Sequence, residues 1–159
     1  MINVVMAREA IPERGPSVFL AGPSHTDPAQ SWRPAAIEAL DATWTGEQPL
    51  TVLSPESRGG VRAESYEDQV DWESWARLGA GAVMFWIPRD VVHLPGFTTN
   101  VEFGMDVLTG RAVLGCPPDC PNPERNRYLI YVARRHGVPV CETLTDTAGA
   151  AVELAGRAY

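Results

Sequence analysis

The sequence predicts an α/β domain built on a single doubly wound parallel sheet of five strands, in the flavodoxin-like order 2-1-3-4-5. Three observations lead there. Five short apolar runs alternate with five helix-like segments, the pattern of a parallel sheet covered by helices on both faces. Crossovers between parallel strands are right-handed, which leaves few strand orders for a chain of this size. The 159 residues fit one domain with length enough to bury a sizeable core.

The first strand is Ser17-Val18-Phe19-Leu20-Ala21, ended by the turn Gly22-Pro23. Pro12, Gly15 and Pro16 interrupt the chain before it, so residues 1–16 form an N-terminal arm or an extra edge strand. A first helix over 31–42 has Ser31 as N-cap and Pro34 in the first turn, where proline is tolerated; Ala35, Ala36, Ala39 and Leu40 supply its apolar side. Leu50-Thr51-Val52-Leu53 is the second strand and stops at Ser54-Pro55. A loop with Gly59-Gly60 leads to a second helix, capped near Ser65 and running to about Leu78, with Val70, Trp75 and Leu78 inward. Residues 82–87 form the most apolar strand, and the helix after it runs to Thr109 with Gly110 as its stop. Ala112-Val113-Leu114-Gly115 is the fourth strand. Residues 123–136 are a fourth helix closed by Gly137, 138–141 the fifth strand, and 146–157 the last helix.

Composition narrows the function. Hydrophobic residues at 45% and charged residues at 21% are ordinary for a soluble globular protein. No apolar run approaches the ~20 residues of a membrane span. The first eight residues lack a signal-peptide layout, so a cytoplasmic protein is expected. A formal charge of −7 speaks against a nucleic-acid polymer, which demands a basic face, yet allows a small anionic ligand held by one arginine or helix N-terminus. Three cysteines, Cys116, Cys120 and Cys141, are an odd number and do not make a full disulfide framework. Cys116 and Cys120 have no second ligand pair after them, and His25, His93 and His136 lie far from them and from each other. No metal and no cofactor are expected.

Glu102 is the candidate nucleophile. It follows the most apolar strand in Phe97-Thr98-Thr99-Asn100-Val101-Glu102-Phe103-Gly104, where a loop empties onto a helix start. Open α/β sheets bind ligands at such crevices. Free backbone N–H groups and the macrodipole would favour its charge and keep it ionised at neutral pH. Thr99-x-x-Glu102 also fits a capping box, in which the pair serves only the helix. In the order 2-1-3-4-5 the switch point lies between strands one and three. The Gly22-Pro23 loop and the segment leading to Glu102 therefore converge on one crevice.

These residues resemble the nucleoside 2-deoxyribosyltransferase-like family. The resemblance runs from about Ser17 to Gly115, with a weaker tail. It is carried by Phe19-Leu20-Ala21-Gly22-Pro23, by Gln69-Val70-Asp71-Trp72-Glu73, and by Thr99-x-x-Glu102-x-Gly104. It implies cleavage of an N-glycosidic bond through a covalent glycosyl intermediate on Glu102, with the sugar passed to another base or to water. Relatives include hydrolases acting on nucleoside 5′-monophosphates. Gly22 matches the close-approach loop near the sugar, beside Pro23. Phe19 falls where the family often has a tyrosine that supports the nucleophile, and phenylalanine cannot donate that hydrogen bond. An aspartate often found six residues before the nucleophile is Gly96 here, with Asp90 as the candidate substitute. The acid on the second helix is either Asp71 or Glu73. Asn122, Asn126 and Arg127 follow strand four, where the family often reaches into a neighbour's site, which implies a homo-oligomer with shared sites.

The chemistry needs one ionised carboxylate at C1′ and a second group that protonates the departing base. General acid help is typically worth ~10²–10⁴ in rate. Asp71, Glu73 or Asp90 fills that role if burial raises its pKa. On a helix Asp71 and Glu73 point about 200° apart, so at most one faces the crevice. Trp32 and Trp72 are candidate base-stacking groups, while Trp75 and Trp86 look like core residues. Arg33 and Arg89 are candidates for a 5′-phosphate or acidic group, and Thr99 lines the same loop. Two other readings stand beside the enzyme. One is a nucleotide-binding module without catalysis, motivated by Phe19 and Gly96. The other is a flavodoxin-like redox protein, which lacks its Ser/Thr/Gly phosphate loop here.

Overall fold

The computed structural model describes residues 1–61 and 63–157. Its elements are β1 (Ile2–Met6), β2 (Ser17–Ala21), α1 (Arg33–Thr43), β3 (Leu50–Ser54), α2 (Tyr66–Gly79), β4 (Ala82–Trp86), α3 (Phe97–Asp106), β5 (Ala112–Gly115), α4 (Arg127–Arg135), β6 (Val140–Cys141) and α5 (Leu144–Arg157). All strands run parallel in one sheet of order β1-β3-β2-β4-β5-β6.

The sheet has six strands, not five. The additional strand is β1, which pairs with β3 from Ile2↔Leu50 to Met6↔Ser54. The alternatives left open for residues 1–16 thus resolve to an edge strand followed by a short arm. With β1 set aside, the remaining strands neighbour one another as expected from crossover handedness.

Strand residues alternate between two cores. Phe19, Ala21, Val83, Phe85 and Leu114 face α2, α3 and α4, whereas Val18, Leu20, Met84 and Val113 face α1 and α5. All these side chains are essentially inaccessible, each worth about 1.5–3 kcal/mol for the larger ones. An edge-to-face contact of Phe85 with Phe103, centroids 5.2 Å apart, fixes α3 against β4.

Several boundaries differ from expectation. Ser31 is not the N-cap of α1; Trp32 is, and the Ser31 hydroxyl accepts the Arg33 N–H at 3.1 Å one residue earlier. The helix expected over 123–136 is a 3₁₀ turn, Pro123–Asn126, followed by α4. On α2, Ser65 caps as expected, its hydroxyl accepting from Asp68 N at 3.2 Å. Yet Trp75 and Leu78 face out, with Trp75 73% exposed, and Val70 is exposed at the wall of a cavity rather than packed in the core. Small Ala76 and Ala80 take the sheet side instead, together with Arg77. Arg77 can be buried there because its Nη1 donates to Asp106 Oδ2 at 2.5 Å, clamping α2 to α3. Cys116, Cys120 and Cys141 are free thiols.

Candidate active site

The β2 and β4 ends are paired, Ala21 beside Phe85, so the loops that follow them open side by side at the switch point. Between these loops and α2 lies a cavity of about 460 Å³, lined by Phe19, Gly22, Pro23, Ser24, Arg33, Tyr66, Gln69, Glu73, Gly96, Phe97, Thr99 and Glu102 among others.

Two glycines shape its walls. Gly22 has φ +147°, and a Cβ there would run into the Trp86 carbonyl and sit 2.8 Å from the Trp32 ring. The chain can turn under the cavity only without a side chain at this position. Gly96 precedes α3 at φ +69° in the left-handed region, and a Cβ would lie 2.6 Å from Arg89 Nη1. A side chain at position 96 would have to displace the Arg89 guanidinium and adopt a left-handed backbone, which glycine does without strain.

Glu102 faces the cavity, but not from a helix start. α3 begins at Phe97 with Gly96 as N-cap and no side-chain cap, so Thr99-x-x-Glu102 forms no capping box. Glu102 lies in the second turn, beyond the reach of the macrodipole, which fades after the first. It accepts no side-chain hydrogen bond among the described residues. Burial first, and the neighbouring Glu73 carboxylate second, push it up from 4.5 to about 7; Arg77 and Arg33 oppose this. The expectation of a dipole-favoured, fully ionised carboxylate at neutral pH is therefore corrected.

Glu73 is the second carboxylate of the cavity. Burial raises its pKa as well, while the Gln69 amide, donating from Nε2 to Glu73 Oε1 at 2.6 Å, steadies its charged form. Gln69 Nε2 is itself placed by Pro55 O at 3.0 Å. Of the two acids open on α2, Glu73 lines the cavity and Asp71 is exposed to solvent away from it. The Arg77–Asp106 clamp holds the two helices that carry Glu73 and Glu102.

The other expected residues divide. Phe19, Gly22, Pro23, Arg33 and Thr99 line the cavity, and Phe19 is a buried floor residue. Arg33 is wholly buried and spent internally, donating to Gly22 O (2.8 Å), Ser24 Oγ (2.9 Å) and Glu56 Oε1 (3.3 Å). It builds the loop rather than reaching for a phosphate. Trp32, Trp72, Arg89, Asp90 and Asn126 lie outside the cavity. The Trp32 indole donates to Pro23 O and the Trp72 indole to Glu9 O, both at 2.9 Å, so each ring braces a backbone turn. Buried Arg89 donates to the Pro95 carbonyl, to Asn100 Oδ1 at 2.7 Å and to Asn126 Oδ1 at 2.9 Å. Asn126 in turn donates to Ile87 O at 3.0 Å and is buried, its amide engaged within the chain. Asp90 accepts from Val92 N and His93 Nδ1 (both 2.9 Å), closing the turn before α3, which also holds its carboxyl below the usual range.

Gln69, Tyr66 and Ser24 belong to the cavity and were not expected there as site residues. Gln69 had a readable signal, its i,i+4 spacing to Glu73 on one helix face. Tyr66 and Ser24 carried none, since only the tertiary arrangement brings the α2 start and the β2 loop to the same wall.

In comparison with known proteins, a family model described as nucleoside 2-deoxyribosyltransferase like matches residues 15–120, about two thirds of the chain. That segment contains every cavity residue named above and leaves out β1, α4, β6 and α5. No curated protein matches the chain.

Proposed function

The chain belongs to the nucleoside 2-deoxyribosyltransferase-like family, and from that premise we propose that it cleaves the N-glycosidic bond of a (deoxy)nucleoside through Glu102 and transfers the sugar to another base. The observation that carries this reading is the pair Glu73 and Glu102 facing one cavity, both with raised pKa values.

Two carboxyls that repel each other in one site release their protons in separate steps. Over the interval between those steps, with the upper one near pH 7, the pair carries one charge and one proton. The reaction needs that stoichiometry. An ionised Glu102 oxygen forms a bond to C1′ as the C1′–N bond breaks, and the departing base takes its electron pair together with the proton held by Glu73. An incoming base then attacks C1′ and gives up its proton to Glu73, releasing Glu102. In the free protein Gln69 favours the charge on Glu73 and leaves the proton on Glu102. Bound substrate must reverse this, because charge building at C1′ favours an ionised Glu102.

The test is incubation with deoxynucleosides and a free acceptor base, followed by separation of products. Exchanged nucleoside supports transfer, and free sugar supports the hydrolytic alternative, in which water takes the acceptor's place. Tight binding without turnover supports a non-catalytic module, a reading favoured by the absence of a donor at Phe19 and of an acid at Gly96. If Glu102→Ala turns over like the wild type, the proposal fails.

The same reading includes a homo-oligomer. Phe97, Val101, Met105 and Leu108 make an exposed apolar row along α3 and its C-terminal turn, with exposed Trp75 and Leu78 on α2. The row starts at the cavity mouth, where Phe97 is both lining and exposed. No described helix is long and apolar enough to cross a membrane.

A further inference from the structure

Beside the cavity that holds Glu73 and Glu102 lies a second chamber of about 490 Å³, and the two share Ser24, Pro55, Tyr66 and Gln69 as a common wall. Arg8 lines this chamber. It is the one non-glycine residue with a positive φ (68°) among those described, a conformation unfavourable for a side-chain-bearing residue that persists where surroundings enforce it. The enforcing contacts are Ala7 N donating to Glu56 O (2.9 Å), Glu9 N to Met6 O (3.0 Å) and Met6 N to Glu9 Oε2 (2.9 Å). From this turn the Arg8 guanidinium meets the common wall, where Nη1 donates to Gln69 Oε1 at 2.8 Å, and Nη2 donates to Val61 O at 2.7 Å.

The charges around the chamber are otherwise matched. Arg33 pairs with Glu56, whose Oε1 also accepts from Ser31 Oγ at 2.5 Å, and Arg58 pairs with Glu9 at 2.6 Å. Arg8 has no carboxylate partner among the described residues. It also lies before residue 15, on the β1 extension that the family match does not include.

We propose that this chamber is an anion subsite, with Arg8 as its cation, for a carboxylate or phosphate carried on the leaving-group side of the substrate. The side follows from the bonding, and this step rests on the reading of Glu73 as the acid. A departing base must abut Glu73, Gln69 is bonded to both Glu73 and Arg8, and the guanidinium therefore stands one side chain beyond Glu73, on the side of the base. Ser57 and His25 add a hydroxyl and an imidazole to the chamber's lining, and the one carboxylate there among the described residues, Glu56, is paired with Arg33. Arg8 is exposed, and an anion there meets a charge-assisted donor, which discriminates it from a neutral analogue of the same shape most strongly at low salt.

The test is calorimetric binding of matched pairs, uracil with orotate and purine with purine-6-carboxylate, and of uridine with its 5′-monophosphate. The proteins are the wild type, Arg8→Asn (asparagine tolerates the positive φ) and Arg8→Lys, which keeps the charge. At low salt the carboxylated member of at least one pair binds the wild type about tenfold tighter. That advantage disappears in Arg8→Asn, returns in part in Arg8→Lys, and shrinks with added salt. Unliganded melting curves report whether each variant folds; should Arg8→Asn not fold, the lysine variant and the salt dependence decide. Equal binding within both pairs overturns the subsite, as does a carboxylate advantage that survives in folded Arg8→Asn. An Arg8-dependent gain for the 5′-monophosphate alone moves the anion to the sugar and overturns the leaving-group assignment. Because binding is read without turnover, the two readings fail separately. A carboxylate preference in a protein that cleaves no nucleoside leaves the subsite standing and removes the enzyme, and base exchange without that preference does the reverse.

Discussion

Replacing Glu73 by glutamine keeps the side chain's shape and its place beside Gln69 while removing one carboxyl of the pair. In the wild type, kcat/KM reports ionisations of the free protein, and a pair that works with one proton and one charge gives a bell. The falling limb lies near pH 7, where the last proton leaves. Lifting Glu102 from 4.5 to about 7 disfavours its ionised form by roughly 3 kcal/mol. Burial is the larger cause and survives the substitution; Glu73 is the second and does not. Glu73→Gln thus brings the Glu102 midpoint down part of the way, leaving it above the ordinary carboxylate value. The falling limb vanishes, leaving a single rise with pH, and the plateau drops by ~10²–10⁴ with the loss of the general acid. Base exchange measured chromatographically from pH 5 to 9, with carbon NMR titration of the Glu102 carboxyl as a readout free of turnover, examines both parts. A wild-type profile with no decline between pH 6 and 8, or a decline retained in Glu73→Gln, refutes the shared-proton pair. So does a Glu102 midpoint that stays at the ordinary carboxylate value.

The same raised pKa affects stability. A carboxyl that binds its proton more tightly when folded is most favourable below pH 4.5, and its contribution is lost as pH rises from 4.5 through about 7. Glu102→Gln is accordingly close to neutral in a melt at pH 4 and stabilising by about 2–3 kcal/mol at pH 8, and equal effects at both would contradict it. Asp106→Asn leaves Arg77 buried without its partner and lowers stability by about 3 kcal/mol in urea unfolding; a loss below 1 kcal/mol would show that the clamp does not hold α2 against α3. Val101→Asp with Met105→Glu places charge in the exposed α3 row and converts an oligomer into monomers by sedimentation, with melting unchanged; an unaltered oligomer places the interface elsewhere.

Much of the fold was legible because strand runs and helix starts are local. The apolar stretch 82–87 and the Ser65 cap depend on a few adjacent residues, and they appear as β4 and the start of α2. The orientation of α2 was not legible. Both of its faces carry apolar side chains, so hydrophobicity alone does not choose between Trp75 and Ala76. Packing of Ala76 and Ala80 into the same core cluster as Phe19, Val83 and Phe85 leaves Trp75 outside, and the Asp106 partner makes buried Arg77 tolerable. Similarly, Arg33, Arg89 and Asn126 read as ligand-binding groups because a free guanidinium or amide in a loop looks available. Their carbonyl partners come from Gly22, Pro95 and Ile87, and those meetings exist only in the folded chain.

The linear order of residues determined the βα alternation, the switch point at which the Gly22 and Glu102 loops meet, and the two acids of α2 from which one had to be taken. All of these follow from short-range patterning and from the handedness of crossovers. Folding decided that Glu73 rather than Asp71 enters the cavity, that α3 starts five residues before Glu102, and that its carboxyl holds a proton up to about pH 7. A pKa depends on burial and on charges brought near through space, and neither is a property of neighbouring positions along the chain.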